Sequence, residues 1–296
     1  MKVKTNFDAG SINFGGDYVL FVEGEADSID VAVLSQFLNV AVKPLGSSMY
    51  VRSISQALHS SCPNYYFLID RDHYEDQEVE IYWKNFPNAD TPNLLVWRRK
   101  ELESYFIDPE YLVQSSYLVS GKVIDDIRNR VMKAAAPIVY MAAANRVIVS
   151  VREQLKRKWI ELFTEPSQFP NAESALKKLL DNKAFTDFNG RVSSLISRSS
   201  LEGQFKNALD LLVGTCGKLT WGVGQWLKVL PAKAIMNSVL GSSLFKVRDR
   251  NNKVLSGNEK VYEIIKELLL PDKSVPADFN ELKRLITMQI HRGNPN

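Results

Sequence analysis

Between Asp17 and Val96, apolar runs of strand length alternate with stretches of helical periodicity: "YVLFVEG", "SIDVAVLSQFLN", "VAVKPLG", "MYVRSISQALHSS", "YYFLID" and "NLLVW". Strand-length runs separated by helical segments predict a parallel sheet with right-handed crossovers. Such sheets bind ligands beyond the carboxyl ends of their strands. Acidic residues gather at those ends. Glu23 follows the first run, Asp70 and Asp72 follow "YYFLI", and Glu101 and Glu103 follow "NLLVW" behind the cations Arg98, Arg99 and Lys100.

The stretch "EGEADSID" places Glu23, Glu25, Asp27 and Asp30 close together in sequence. Two like charges about 4 Å apart repel by about 4 kcal/mol at an effective dielectric near 20. Such a group therefore implies protonation, cationic neighbours or a metal. If the third strand continues through Asp70-Arg71-Asp72, side-chain alternation turns both carboxylates the same way. If a helix starts just after Glu23, Glu23 and Asp27 share one of its faces. An oxygen-only donor set selects magnesium or manganese over zinc. The plainer reading of Asp27 and Asp30 is that they favour a helix N-terminus.

The net charge of +3 decides little, whereas two local clusters, "WRRK" at Trp97–Lys100 and "KRK" at Lys156–Lys158, could face phosphates or simply solvent. The cysteines, Cys62 and Cys216, have no metal-ligand spacing, so reduced thiols in a cytoplasmic protein are expected. No secretion signal is expected, because no basic start precedes an apolar stretch and a small-residue cleavage site. The best membrane candidate, "AAAPIVYMAAANRVIVSV", is interrupted by Pro137, Asn145 and Arg146 and falls short of the roughly 20 apolar residues of a span. It reads as a buried or interface helix, and no membrane association is expected. "GTCGKLT" at Gly214–Thr220 lacks the glycine spacing of a phosphate loop. His73 reads as a surface residue, and Trp221 and Trp226 as core.

Beyond Asp108-Pro109 the pattern is helical: residues 123–163 with a break at Pro137, then 172–180, 201–213, 232–245, 259–270 and 278–291. The expectation is an α/β domain over 1–112, followed by a mostly helical domain over 113–296 that carries dimerisation, partner and nucleic-acid contacts. Within that helical half, Ala142, Ala143 and Ala144 would allow a second helix to approach closely, which suits a homodimer.

"FVEGEAD" together with "LIDRD" resembles the Toprim domain, which is shared by topoisomerases, primases and the overcoming-lysogenization-defect (OLD) nucleases. "ELESYFIDPEYL" is similar to a bacterial Toprim subfamily found beside ABC-type ATPases in anti-phage loci, most closely the nuclease effectors of the phage anti-restriction-induced system, PARIS. The likeness covers about the first 112 residues, with "WLKVLPAKAIMN" as a weaker match further on. It implies magnesium or manganese held by Glu23, Asp70 and Asp72, with Asp27 and Glu103 completing a second metal position. Two such ions would clamp the attacking and leaving oxygens of an in-line displacement.

A lysine near the scissile phosphate would offset developing charge, with Lys100 and Lys233 as candidates, and the basic residues Arg98, Arg99, Lys156, Arg157, Lys158 and Lys233 would contact nucleic acid. The activity implied is that of a toxic endoribonuclease, restrained by an ABC-type ATPase and released on infection to cleave tRNA and arrest translation. Ala26 departs from the pattern, because similar proteins can carry an acidic residue there. Two readings of it stay open, a native alanine and a substitution that disarms the nuclease. The alternatives for the whole chain are an OLD-like DNA endonuclease and a non-catalytic Toprim-like binding subunit.

Overall fold

The computed structural model describes residues 18–38, 40–72, 74–87, 92–156, 176–177 and 180–293. The apolar runs form strands β1 (Val19–Val22), β2 (Ala41–Pro44), β3 (Tyr65–Ile69) and β4 (Leu94–Val96). They pair in the order β2-β1-β3-β4, every pair parallel, with Val19 opposite both Ala41 and Tyr65, and Phe67 opposite Leu94. All four residues of β1 are buried, as are Tyr66–Ile69 of β3, which is why these strands read as continuous apolar runs rather than as alternating ones.

Helices α1 (Ile29–Phe37), α2 (Ser48–Leu58) and α3 (Asp76–Lys84) supply the crossovers. Val33 and Leu34 of α1, Val51, Ile54 and Leu58 of α2, and Val79 and Trp83 of α3 are buried. The Trp83 indole N–H donates to the Val96 carbonyl at 2.7 Å, tying α3 to β4.

The chain packs as two compact units, one formed by Met1–Ala135 with Leu227–Asn296, the other by Ala136–Trp226. The helices beyond β4 are α4 (Pro109–Leu112), α5 (Ile124–Lys156), α6 (Lys183–Leu195), α7 (Arg198–Val213), α8 (Trp226–Val229), α9 (Lys233–Leu240), α10 (Gly257–Leu268) and α11 (Ala277–Gly293). Helix α6 has no counterpart in the sequence expectation, and the expected helix over 172–180 lies mostly outside the described residues.

The expected break at Pro137 does not occur, since α5 continues through it. Proline forfeits one backbone donor and crowds the carbonyl four residues earlier. Here the buried positions Val131, Ala135, Val139, Ala143 and Val147 continue at a spacing of four on both sides, so packing holds the helix together. The sequence reading also judged this segment too interrupted to span a bilayer. By length and composition, α5 is nevertheless long and apolar enough to cross one, with mean hydropathy 1.5 over an 18-residue window of which 22% is buried.

In the first unit, α11 closes over the sheet edge. Phe279 is fully buried, its ring 5.5 Å from that of Trp97, 5.2 Å from Tyr105, 6.2 Å from Phe106 and 5.4 Å from Phe37. Beside it, Arg98 joins three carboxylates: Glu80, through Nε at 2.7 Å and Nη2 at 3.0 Å, Asp278 at 3.0 Å and Glu281 at 2.6 Å. The guanidinium also lies 4.2 Å above the Trp83 ring. Residues 98–105, the chain that follows β4, are thereby held in place by the returning C-terminal helices.

Candidate active site at the carboxyl edge of the sheet

Glu23 leaves β1 at its carboxyl end. Its Oε2 accepts the Asp70 amide at 3.4 Å, and the Ser48 amide at the start of α2 also bonds to it. Burial still outweighs these bonds and raises its pKa, with nearby Asp72 adding to the rise. Gly24 follows at φ +111°, exchanges backbone hydrogen bonds of 2.8 and 3.1 Å with Gly46, and turns the chain sharply off the sheet. A side chain there would be strained by the backbone and would press on Ser28 at 3.1 Å.

The helix expected immediately after Glu23 starts later than that. Ser28 caps α1, accepting the Val31 amide, so Glu23 and Asp27 do not share a helical face. Asp27 sits on the exposed turn instead, where it lines a cavity of about 520 Å³ together with Glu103 and Lys233. Ala26 is exposed on the same turn and does not line that cavity.

The D-x-D alternation also fails, because β3 ends at Ile69 and Asp72 adopts φ +44°. The physical reason is Arg71, which is 3% exposed and fully engaged. It donates to the Tyr74 carbonyl at 3.0 Å, to the Arg98 carbonyl at 2.7 Å and to the Asp76 carboxylate. Burying that guanidinium bends the chain, so Asp72 turns towards Lys100, whose Nζ lies 2.9 Å from Asp72 Oδ1.

Asp70, at the end of β3, has its pKa pushed up to about 9, by burial first and then by Asp30, Glu23, Glu101 and Glu103. Asp30 is pushed up to about 7 by burial, then by Glu103, Glu101 and Glu23. Burial and Glu101 raise Glu103, and Lys233 partly offsets them. Five carboxylates, from the ends of β1 and β3, the first turn of α1 and the segment after β4, therefore share one electrostatic field.

Asp30 and Glu101 belong to this group although sequence reasoning did not select either as a site residue. The signal for Asp30 was its position three and four residues before the buried Val33 and Leu34, which places it on the inward face of α1. The signal for Glu101 was its place just beyond β4, beside Glu103. The Glu101 carboxylate accepts the Ala232 and Lys233 amides at 2.6 and 2.8 Å, capping α9 across 131 residues of sequence.

The expected nucleic-acid contacts divide. The Arg98 and Arg99 guanidinium groups are engaged inside the fold, that of Arg99 by the Ser104 carbonyl at 2.8 Å and Asp108 at 2.7 Å, so neither projects freely towards phosphate. Lys233 donates its backbone amide to Glu101 and turns its side chain to the cavity, with no side-chain hydrogen bond among the described residues. Arg157, Lys158, His73 and the side chain of Lys156 lie outside the described residues.

The donor chemistry fits a hard divalent cation: the donors are all oxygens, and burial followed by mutual repulsion raises the pKa of Glu23, Asp30, Asp70 and Glu103, a cost that a cation would relieve. As the side chains stand, no three carboxylate, histidine or cysteine groups among the described residues form a cluster that could hold an ion. Lys100 occupies Asp72 in that arrangement. Comparison with protein-family models finds no match to this chain, and comparison with curated proteins finds none either.

Proposed function

We propose that the chain is a magnesium-dependent Toprim-type endonuclease, the effector of a PARIS-like anti-phage system, which cleaves tRNA once a partner ABC-type ATPase releases it in the cytoplasm. The observation that carries the reading is the convergence of Glu23 and Asp70, from the ends of adjacent parallel strands, with Asp30, Glu101 and Glu103 in one buried acidic field. Glu23, Asp70 and Asp72 would hold one ion, and Asp27 and Glu103 would reach a second from the cavity side. Bound there, the ions supply a neutralising charge for the phosphodiester and a water of lowered pKa. Lys100 stands beside Asp72, where its ammonium would meet negative charge building on the phosphate. Asp70, proton-bearing in this state, gives up that proton when a cation enters. A homodimer built on the helical half would present two such sites to one folded RNA.

The experiment combines the purified chain with total tRNA and with plasmid DNA, in magnesium and in EDTA, and compares it with Ala26→Glu. RNA ends that appear only with magnesium support the tRNA reading, and a rise in the variant supports the reading of Ala26 as a disarming substitution. Cuts confined to DNA support the OLD-like alternative. The Lys100–Asp72 ion pair, which engages one of the proposed ligands, favours a second reading, a non-catalytic Toprim-like binding subunit. That reading requires no cleavage in either protein and no magnesium-dependent shift in melting.

A further inference from the structure

The cavity beside the acidic group is larger than the proposed second ion at its edge would fill. Its volume of about 520 Å³ falls within the roughly 300–1,000 Å³ of sites that enclose a small organic group. Ile29, Met236 and Val261 give it an apolar floor, and Tyr262, 44% exposed, stands at its wall. Asn237 and Asn258 also line it, and their side-chain amides make no hydrogen bond among the described residues. Glu25, Asp27, Glu103 and Lys233 are its charged lining, Glu103 and Lys233 at the boundary shared with the acidic group. Unengaged carboxamides, an exposed aromatic ring and apolar side chains are the three elements that proteins use to read an unstacked base: amides for its hydrogen-bonding edge, a ring for its face.

We propose that this cavity takes up one nucleobase of an unpaired nucleotide next to the scissile phosphate, with Tyr262 stacking on it and Asn237 and Asn258 reading its edge. The proposal rests on the nucleolytic reading above and makes the site selective for single-stranded or looped RNA with a preferred base at one position. An amide can donate and accept, so the pair discriminates among bases without adding charge to a site already crowded with carboxylates. Lys233, at the boundary, is placed to meet the phosphate linking that nucleotide to the cleaved bond.

The test measures equilibrium binding of a fluorescein-labelled single-stranded RNA 8-mer, by anisotropy in calcium, with an abasic ribose placed at each position in turn. One abasic position should weaken binding roughly tenfold, in line with the loss of one stacked base. Tyr262→Ala should weaken the intact RNA similarly and remove the abasic difference, and Asn237→Ala with Asn258→Ala should flatten the preference among bases at that position. All three side chains are exposed, and melting checks that the variants fold. Binding that ignores every abasic position, no measurable binding, or variants indistinguishable from the parent protein would each overturn the proposal. Magnesium-dependent cleavage is followed in parallel. Base-selective binding without cleavage keeps the pocket and removes the catalytic reading, and cleavage without base selectivity does the reverse.

Discussion

Replacing Asp70 by Asn should stabilise the metal-free protein, although Asp70 is a leading candidate ligand. Asp70 is pushed up to about 9, from 3.8 for an ordinary aspartate, by burial and four neighbouring carboxylates. Below pH 3.8 both folded and unfolded chains carry its proton. From there to about 9 only the folded chain keeps it, so stability falls as pH rises through that window and levels off beyond it. At pH 7 the difference spans about three pH units at about 1.4 kcal/mol each, which sets a ceiling of about 4 kcal/mol on the cost. Asparagine has the shape of the protonated acid and nothing to ionise, so Asp70→Asn should gain about 1–4 kcal/mol at pH 7, less at pH 5 and more at pH 8. Because the chain has two compact units, the readout should be local: hydrogen exchange at the β1 and β3 amides in EDTA. A variant less protected than the parent, or a difference that does not change between pH 5 and 8, would refute the argument. Saturating magnesium should reverse the order, since the parent gains a bound ion and the variant loses a ligand.

Three further substitutions separate the supports of the site from its chemistry. Phe279→Ala empties a fully buried ring site among four aromatic neighbours and should cost about 3–5 kcal/mol, lowering the first unit's calorimetric melting by roughly 6–20 °C; a shift below 2 °C would show that the cluster does not anchor α11. Glu101→Ala leaves the Ala232 and Lys233 amides uncapped and should cost about 1–2 kcal/mol, visible as faster exchange at those two amides, whereas unchanged exchange would dismiss the cap. Lys100→Ala should change stability by less than about 1 kcal/mol, because its partner Asp72 is 42% exposed, yet should slow RNA cleavage by about 100-fold. Cleavage at the parent rate would remove Lys100 from the chemistry.

Strands β1, β3 and β4 were legible because each is a buried apolar run with turn residues at its end, and Glu23 and Asp70 could be placed from that pattern alone. Asp72 could not be oriented, because its direction depends on Arg71, and nothing in "LIDRD" says that the arginine is buried and the aspartate turned out. Glu103 was named as a ligand by the resemblance. Glu101 was seen beyond the same strand but not as a site residue, and its partners, the first amides of α9, lie 131 and 132 residues away. The same distance hid the return of residues 227–296 to the first unit, since helical periodicity shows which face is apolar but not what covers it. Pro137 misled because a local rule for helix breaking was overridden by packing at Ala135 and Val139 on either side.

The excursion of residues 136–226 between the two parts of the first unit has a consequence for synthesis. The loop that carries Lys100, Glu101 and Glu103 is braced by Ala232, Asp278, Phe279 and Glu281, so the acidic edge is incomplete on a nascent chain. At roughly 5–20 residues per second, a ribosome needs on the order of 10–30 s to travel from α4 to α11. During that interval β1–β4 lack the aromatic side chain that seals Trp97 and Tyr105. A cell that makes this protein therefore meets a built-in delay of that length before the charged edge is assembled.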